Sequence, residues 1–206
     1  MPQPASLPVD NARHWVSPHE EVGIRSPIPV FITQSALSGA DVHAASESEQ
    51  EVGGVLVGKW CADETGQQFV VVSAVLPARF TRQGSVYLTF TQDSLVDVHA
   101  KLEILFPGEG IVGWYHTHPH MGVFLSHYDT WLHEHFFPEQ WQVALVIEPH
   151  TTAGGFFIRQ ADGQLDAGQY FGFYELDGCS GRSVVHWQNL RVEPEIPKNG
   201  GLDCNE

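Results

Sequence analysis

The sequence predicts an α/β protein, a mixed β-sheet with helices on both faces. Three observations carry this expectation. Short β-branched and aromatic runs such as IPVFIT, FVVVSAVLP and WQVALVIEP recur along the chain. Segments with apolar residues at helical spacing lie between them. Proline and glycine punctuate the junctions. The 206 residues, 42% hydrophobic and 17% charged, suit one folded domain with modest extensions.

In chain order, residues 1–27 are proline-rich without periodicity, which predicts an irregular arm. The folded domain is expected over 28–192, and residues 193–206 are expected to be a flexible tail. IPVFIT reads as a strand and residues 34–48 as a helix-tolerant stretch, followed by the buried strand EVGGVLVGKW. FVVVSAVLP reads as a strand stopping at Pro77, and RFTRQGSVYLTF as a loop with a short strand near its end. TQDSLVDVHAKLEILF places Leu95, Val98, Leu102 and Leu105 at helical spacing, and Pro107-Gly108 ends that helix. GIVGWYHTH reads as a strand with Val112, Trp114, His116 and His118 on one face. SHYDTWLHEHFF is a second helix closed by Pro138. WQVALVIEP, GFFIRQ and QYFGFYEL complete the strands, the last two joined through a turn around Asp162-Gly163.

Composition narrows the function classes. The formal net charge is −15 with only 10 basic residues, so nucleic acid is a poor partner. An acidic surface suits solubility or a partner with a basic patch. No positively charged leader precedes an apolar run, and nothing approaches the roughly 18 apolar residues of a membrane span. A cytoplasmic protein without membrane association is expected. Cys61, Cys179 and Cys204 are few and far apart, which argues against a disulfide framework or a cysteine zinc knuckle. Any metal here must be held by histidine and carboxylate.

The stretch HTHPHMGVFLSHYD, residues 116–129, supplies such a set. His116 and His118, at i and i+2 on a strand, project to the same side. Pro119 ends the strand, and Ser126 opens the following helix with Asp129 at its third position. The helix dipole keeps that aspartate ionised. Two imidazoles and one carboxylate leave a fourth tetrahedral position for water, the arrangement of a catalytic rather than a closed zinc site. Zinc lowers the pKa of such water to about 7. A carboxylate from another element would serve to carry the proton. The pieces also have plainer readings: SxxD is a helix capping box, and HxH arises by chance in a chain with 12 histidines.

HTHP-x6-S-x-x-D, together with Gly113, resembles the signature of the JAMM (MPN+, Mov34/JAB-type) metalloprotease family. EVGGVLVG, residues 51–58, resembles the upstream E-x-x-G-x-L-x-G of that family at Glu51, Gly54, Leu56 and Gly58. The resemblance extends loosely over 28–175. It implies a cytidine-deaminase-like (JAB/MPN) fold and one catalytic Zn2+ held by His116, His118 and Asp129. It implies that Glu51 is the base that activates water and then protonates the leaving amine. It implies that Ser126 hydrogen-bonds the water or the oxyanion. The reaction implied is hydrolysis of the isopeptide bond between the C-terminal glycine of a ubiquitin-like modifier and a lysine. The pattern looks like bacterial stand-alone, deubiquitinase-like members. A ubiquitin-like protein, its conjugates and the cognate activating and conjugating enzymes are then the expected partners.

Other residues take lesser roles. His133, one turn beyond Asp129, would close the site as a fourth ligand, so a supporting or core role is expected. His120, His127 and His135 are expected to face solvent or pack, and His99 and His186 have no partner by spacing. Trp114 is expected to pack beneath the site. The loops RFTRQGS (79–85) and EPHTTAGG (148–155) would flank a substrate groove or serve as plain turns. The Gly200-Gly201 pair resembles a modifier's di-glycine end, but such a pair is common in tails. Three other readings stand beside the isopeptidase. One is a peptidase maturing a ubiquitin-like or sulfur-carrier precursor, another a non-catalytic MPN scaffold, and the third a DNA-repair-associated member, disfavoured by the acidic charge.

Overall fold

The computed structural model describes residues 1–78, 92–176 and 181–193. In chain order these form β1 (Gln3–Pro4), β2 (Ala12–Val16), α1 (Pro18–Glu21), β3 (Val30–Thr33), α2 (Gln34–Ser46), β4 (Gly53–Ala62) and β5 (Gln68–Pro77). Then come α3 (Gln92–Leu105), β6 (Gly110–Thr117), α4 (His127–Phe136), β7 (Val143–Glu148), β8 (Ala153–Phe157), β9 (Phe173–Leu176) and β10 (Arg191–Val192).

The strands form one mixed sheet in the order β10-β2-β9-β3-β5-β4-β6-β7-β8, with β1 paired to the far end of β4. The pairs β1/β4, β3/β5, β3/β9 and β6/β7 are parallel, and β4 runs antiparallel to β5 and β6. A lone bridge between Phe156 and Phe171 brings the β8 edge to the segment leading into β9, so the sheet curls. β7 is buried along its whole length, as an apolar strand covered on both faces should be.

Alternation sorts the side chains into two cores. On one face Leu56, Val70, Val72, Tyr115 and Leu145 pack against Ala36, Leu37, Ala40 and Ala44 of α2. On the other, Val55, Val57, Trp114, Ala144 and Val146 pack against Val98 of α3 and Leu132 of α4. Helices therefore cover both faces of the sheet, as the strand-and-helix pattern predicts. Two glycines let strands approach closely. A Cβ on Gly54 would lie 2.2 Å from the Leu76 carbonyl oxygen, and one on Gly113 only 2.0 Å from that of Val143.

Several expectations are corrected. Residues 1–27 are not uniformly irregular. β2 pairs with β9, and a capping box at Ser17 starts α1 with Glu20 as its third residue. The proline-rich flanks mask a five-residue strand, ARHWV, whose side chains are all half-buried, one strand in from the sheet's edge. Glu193, placed in the flexible tail, is tied to β2: its N–H donates to the His14 carbonyl at 2.9 Å, and its carboxylate meets His14 Nδ1 at 2.5 Å. The rest of the tail, including Gly200-Gly201, lies outside the described residues. So does the loop 79–85.

Val112 does not share the face of Trp114. Leu56 pairs with Gly113 and Val57 with Ile111, so Val112 is the extra residue of a β-bulge and packs on the α2 side. Leu105 is 59% exposed rather than buried. The inward stripe of α3 runs through Ser94, Val98 and Leu102 to Phe106 at four-residue steps, which turns Leu105 outward. The turn around Asp162-Gly163 forms as expected, with Gly163 N–H donating to Gln160 O at 2.8 Å, and β9 beyond it inserts between β2 and β3.

Candidate metal centre

The centre forms where β6 ends and α4 begins. Trp114, His116 and Thr117 are the buried last residues of β6, and His118 continues its course by donating its N–H to Ile147 O at 2.9 Å. The two-residue strand period then brings His116 Nε2 within 2.9 Å of His118 Nε2. Asp129 completes the group: one carboxylate oxygen lies 3.4 Å from His116 Nε2, and the other lies 3.4 Å from His118 Nε2. All three residues are buried.

Asp129 is aimed by local geometry. Ser126 is the N-cap of α4; its Oγ accepts from the Asp129 N–H at 3.1 Å, and its own N–H donates to Asp129 Oδ2 at 2.7 Å. The plain capping-box reading of SxxD is therefore true, and it leaves Oδ1 and part of Oδ2 facing the histidines. Burial raises the pKa of the Asp129 carboxyl. The charge of His116 and hydrogen bonds from His116, His118 and Ser126 outweigh it and hold the group below the usual carboxylate range. For His116, burial outweighs the attraction of Asp129 and lowers the pKa, favouring neutral imidazole.

This donor set fits a zinc ion, the metal that the motif implies. Donors about 2.0–2.1 Å from a tetrahedral zinc stand about 3.3 Å apart, close to the separations here. Neutral imidazole and ionised carboxylate are the ligand forms required. His116 Nδ1 and His118 Nδ1 are buried with no protein partner among the described residues, so it is the Nε2 atoms that face Asp129 and one another.

Glu51 is half-buried and stands just ahead of β4. Its neighbour Val52 is clamped to the residue between the two histidines: Val52 N–H donates to Thr117 Oγ1 at 2.9 Å, and Thr117 N–H donates to Val52 O at 2.8 Å. Gly53 pairs with His116, so continuing that register sets Glu51 opposite His118, on the ligand face. The sequence reading passed over Thr117. The signal was a hydroxyl residue at the i+1 position of HxH, which must point to the opposite face and needs a partner there when buried.

His133 lies outside the cluster, in the supporting position expected. Its Nδ1 accepts from Trp114 Nε1 at 3.0 Å, which requires the hydrogen to sit on Nε2. Burial, reinforced by the Arg159 charge, pushes its pKa down to about 3, so it stays neutral. Trp114 stacks on His116 with ring centroids 4.5 Å apart, packing beneath the site as anticipated. His127 and His135 are exposed; His135 stacks on Trp131.

Glu148 was also passed over. It closes the apolar strand VALVIE and is fully buried. Its carboxylate accepts from the N–H groups of His120, His150 and Thr151 at 3.1, 3.0 and 2.7 Å. It thereby joins the turn after His118 to the EPHTTAGG loop. A lone carboxylate at the end of a buried run is the legible signal.

Comparison with known proteins agrees with this geometry. Residues 28–140 match the family model described as JAB1/Mov34/MPN/PAD-1 ubiquitin protease. The chain is 38% identical over 128 residues to the NAD(+) hydrolase TcpA of Theionarchaea archaeon (strain DG-70-1), a match covering 61% of this chain and 36% of that protein. It is 27% identical over 181 residues to COP9 signalosome complex subunit 5a of Arabidopsis thaliana, covering 86% of this chain and 46% of that one. It thus spans less than half the length of either relative. Among solved structures, that of protein DSY2949 from Desulfitobacterium hafniense superposes with a TM-score of 0.52 at 18% identity. That match covers 68% of this chain and 91% of the other, and it shows a shared fold.

Proposed function

The chain belongs to the JAB1/Mov34/MPN/PAD-1 ubiquitin protease family, and from that premise we propose that it is a zinc-dependent isopeptidase. It cuts the amide bond between the C-terminal glycine of a ubiquitin-like modifier and a target lysine. The observation that supports this reading best is the buried convergence of His116 Nε2, His118 Nε2 and both Asp129 oxygens within 3.4 Å. A scaffold that only binds partners has no use for three buried polar side chains aimed at one point.

His116, His118 and Asp129 hold the ion. When bound, zinc polarises the scissile carbonyl and makes water nucleophilic near neutral pH. Glu51 takes the proton from the attacking water and returns it to the leaving amine, which an amide needs in order to depart. Ser126, fixed at the helix start, offers its hydroxyl hydrogen to the developing oxyanion while its oxygen accepts from Asp129. Val52 and Thr117 keep Glu51 in register with the ligands. A ubiquitin-like protein and its conjugates are the partners in this reading, with its activating and conjugating enzymes upstream. The setting is cytoplasmic; no helix of the described residues is long and apolar enough to cross a membrane.

The test is a pair, wild type and Glu51→Gln, assayed on lysine-linked modifier conjugates and on a linear modifier precursor, with zinc content measured alongside. Glu51→Gln should retain the ion and lose turnover. Equal turnover in the two proteins would overturn the mechanism. Cleavage of the linear precursor alone would make the chain a maturation peptidase with the same residues. Purified chain that binds less than half an equivalent of zinc and cleaves neither substrate would make it an MPN scaffold.

A further inference from the structure

A second group of possible ligands lies outside the centre. Glu49, His120 and His150 each offer a ligand atom, all within 4.8 Å of one another and all on exposed residues. They come from three segments: the approach to β4, the turn after β6 and the turn after β7. We propose that they form a second divalent-cation site, which clips these three segments together beside the centre. The proposal does not depend on the isopeptidase reading.

Two features set this trio apart from histidines that meet by accident on a surface. The first is the fixing of both histidine backbones. Glu148 Oε1 accepts from His120 N–H at 3.1 Å and from His150 N–H at 3.0 Å, so one buried oxygen positions both. His120 is held at φ +60°, a left-handed conformation that non-glycine residues seldom adopt. The second is the tautomer of His150. Its Nε2 lies 2.8 Å from the Ser48 carbonyl, which only accepts, so Nε2 carries the hydrogen and Nδ1 keeps the lone pair. Metal-binding histidines are typically orientated in this way, by giving their other N–H to a backbone carbonyl.

His120 Nε2 stands 4.0 Å from Glu49 Oε2, and its ring stacks on His150 with centroids 3.5 Å apart, so the exposed His120 ring turns out of the stack to aim its lone pair at a shared ion. Two imidazoles and a carboxylate suit a first-row transition ion such as zinc, nickel or copper(II). They offer too few oxygens for calcium or magnesium. An ion here would restrain Glu49, two residues before Glu51, and tie it to the turn that follows His118.

The experiment titrates zinc into the full chain after chelator treatment, reading stoichiometry by calorimetry and by elemental analysis. Circular dichroism checks that each variant is folded. Wild type should bind two ions. His150→Ala and Glu49→Ala should each bind one, or bind the weaker ion at least about tenfold less tightly. Asp129→Asn should lose the ion of the catalytic centre and keep the other, which identifies the site being read. His135→Ala, exposed and outside the trio, should still bind two. The proposal is overturned if saturating zinc loads only one ion on wild type. It is equally overturned if His150→Ala and Glu49→Ala match wild type in number and affinity, or if His135→Ala also loses an ion.

Discussion

The proposed mechanism gives Ser126 two roles at once, and they can be separated by substitution. Its Oγ caps α4 by accepting from Asp129 N–H at 3.1 Å, while its hydroxyl hydrogen is assigned to the oxyanion. Ser126→Ala removes the cap and should cost about 1 kcal/mol. For a chain of this size that lowers Tm by about 2–4 °C. Ser126→Gly also removes the hydroxyl, yet glycine at an N-cap costs only a few tenths of a kcal/mol. The bond from residue 126 N–H to Asp129 Oδ2, 2.7 Å in the native chain, survives in both variants, so zinc should still bind. Loss of one oxyanion donor lowers kcat by about 100–1000-fold. The expected pattern is therefore two variants equally impaired in turnover and unequal in stability, measured by thermal melting, zinc content and cleavage of a modifier conjugate. A Ser126→Gly protein with kcat within about threefold of wild type would refute the catalytic role and leave Ser126 as a cap alone.

Three further predictions test the surroundings. Trp114→Phe deletes the donor to His133 Nδ1, leaving a buried acceptor unpaired; it should cost about 1–3 kcal/mol in urea denaturation while zinc stoichiometry stays unchanged. Gly113→Ala places a Cβ 2.0 Å from the Val143 carbonyl oxygen. The β6/β7 pair must then part, for a loss of about 3 kcal/mol or more, measured by denaturation of whatever soluble protein forms. Burial pushes the Asp41 carboxyl from 3.8 up to about 6, against a Trp187 hydrogen bond and the His186 charge. The folded chain thus holds a proton that the unfolded chain has lost. That contribution to stability is complete below the unfolded value and vanishes as pH rises through about 6. Asp41→Asn should flatten the fall in urea midpoint between those pH values, and an unchanged slope would refute the assignment.

Much of the site was legible because it obeys local periods. His116 and His118 need only the two-residue strand repeat, and Ser126 and Asp129 only the first turn of a helix. What escaped depends on pairing between distant segments. The Val112 bulge cannot be read from β6 alone, because it exists only in register with Leu56 and Val57 of β4. β2 was hidden for the same reason: ARHWV is strand only because β9 and β10 flank it from more than 150 residues away. Glu148 and Thr117 look unremarkable in sequence, since their value lies in backbone groups that other loops bring to them.

The division of labour between the sheet faces explains how the three side chains of the candidate centre can be both buried and convergent. Trp114 and His116 lie on the α4 side, and Tyr115, between them, turns to the α2 side and accepts or donates at His43 Nδ1, 2.8 Å away. Both histidines thus stand on the course of a strand anchored by large buried rings, Trp114 and Tyr115. Asp129 comes from the opposite direction, on the first turn of α4, where the helix's positive end favours the ionised carboxylate. His116 is held neutral by burial, and the aspartate is held charged by its hydrogen bonds and the helix start. The junction between a strand end and a helix start brings both environments within 3.4 Å of each other. Moving the carboxylate one turn along α4, to the position of His133, would set it beside the Trp114 donor and the Arg159 charge, which favour its ionised form but lie outside the cluster. The position of Asp129 at the third residue of the helix is thus set by reach to the two histidines and by the capping box that aims it.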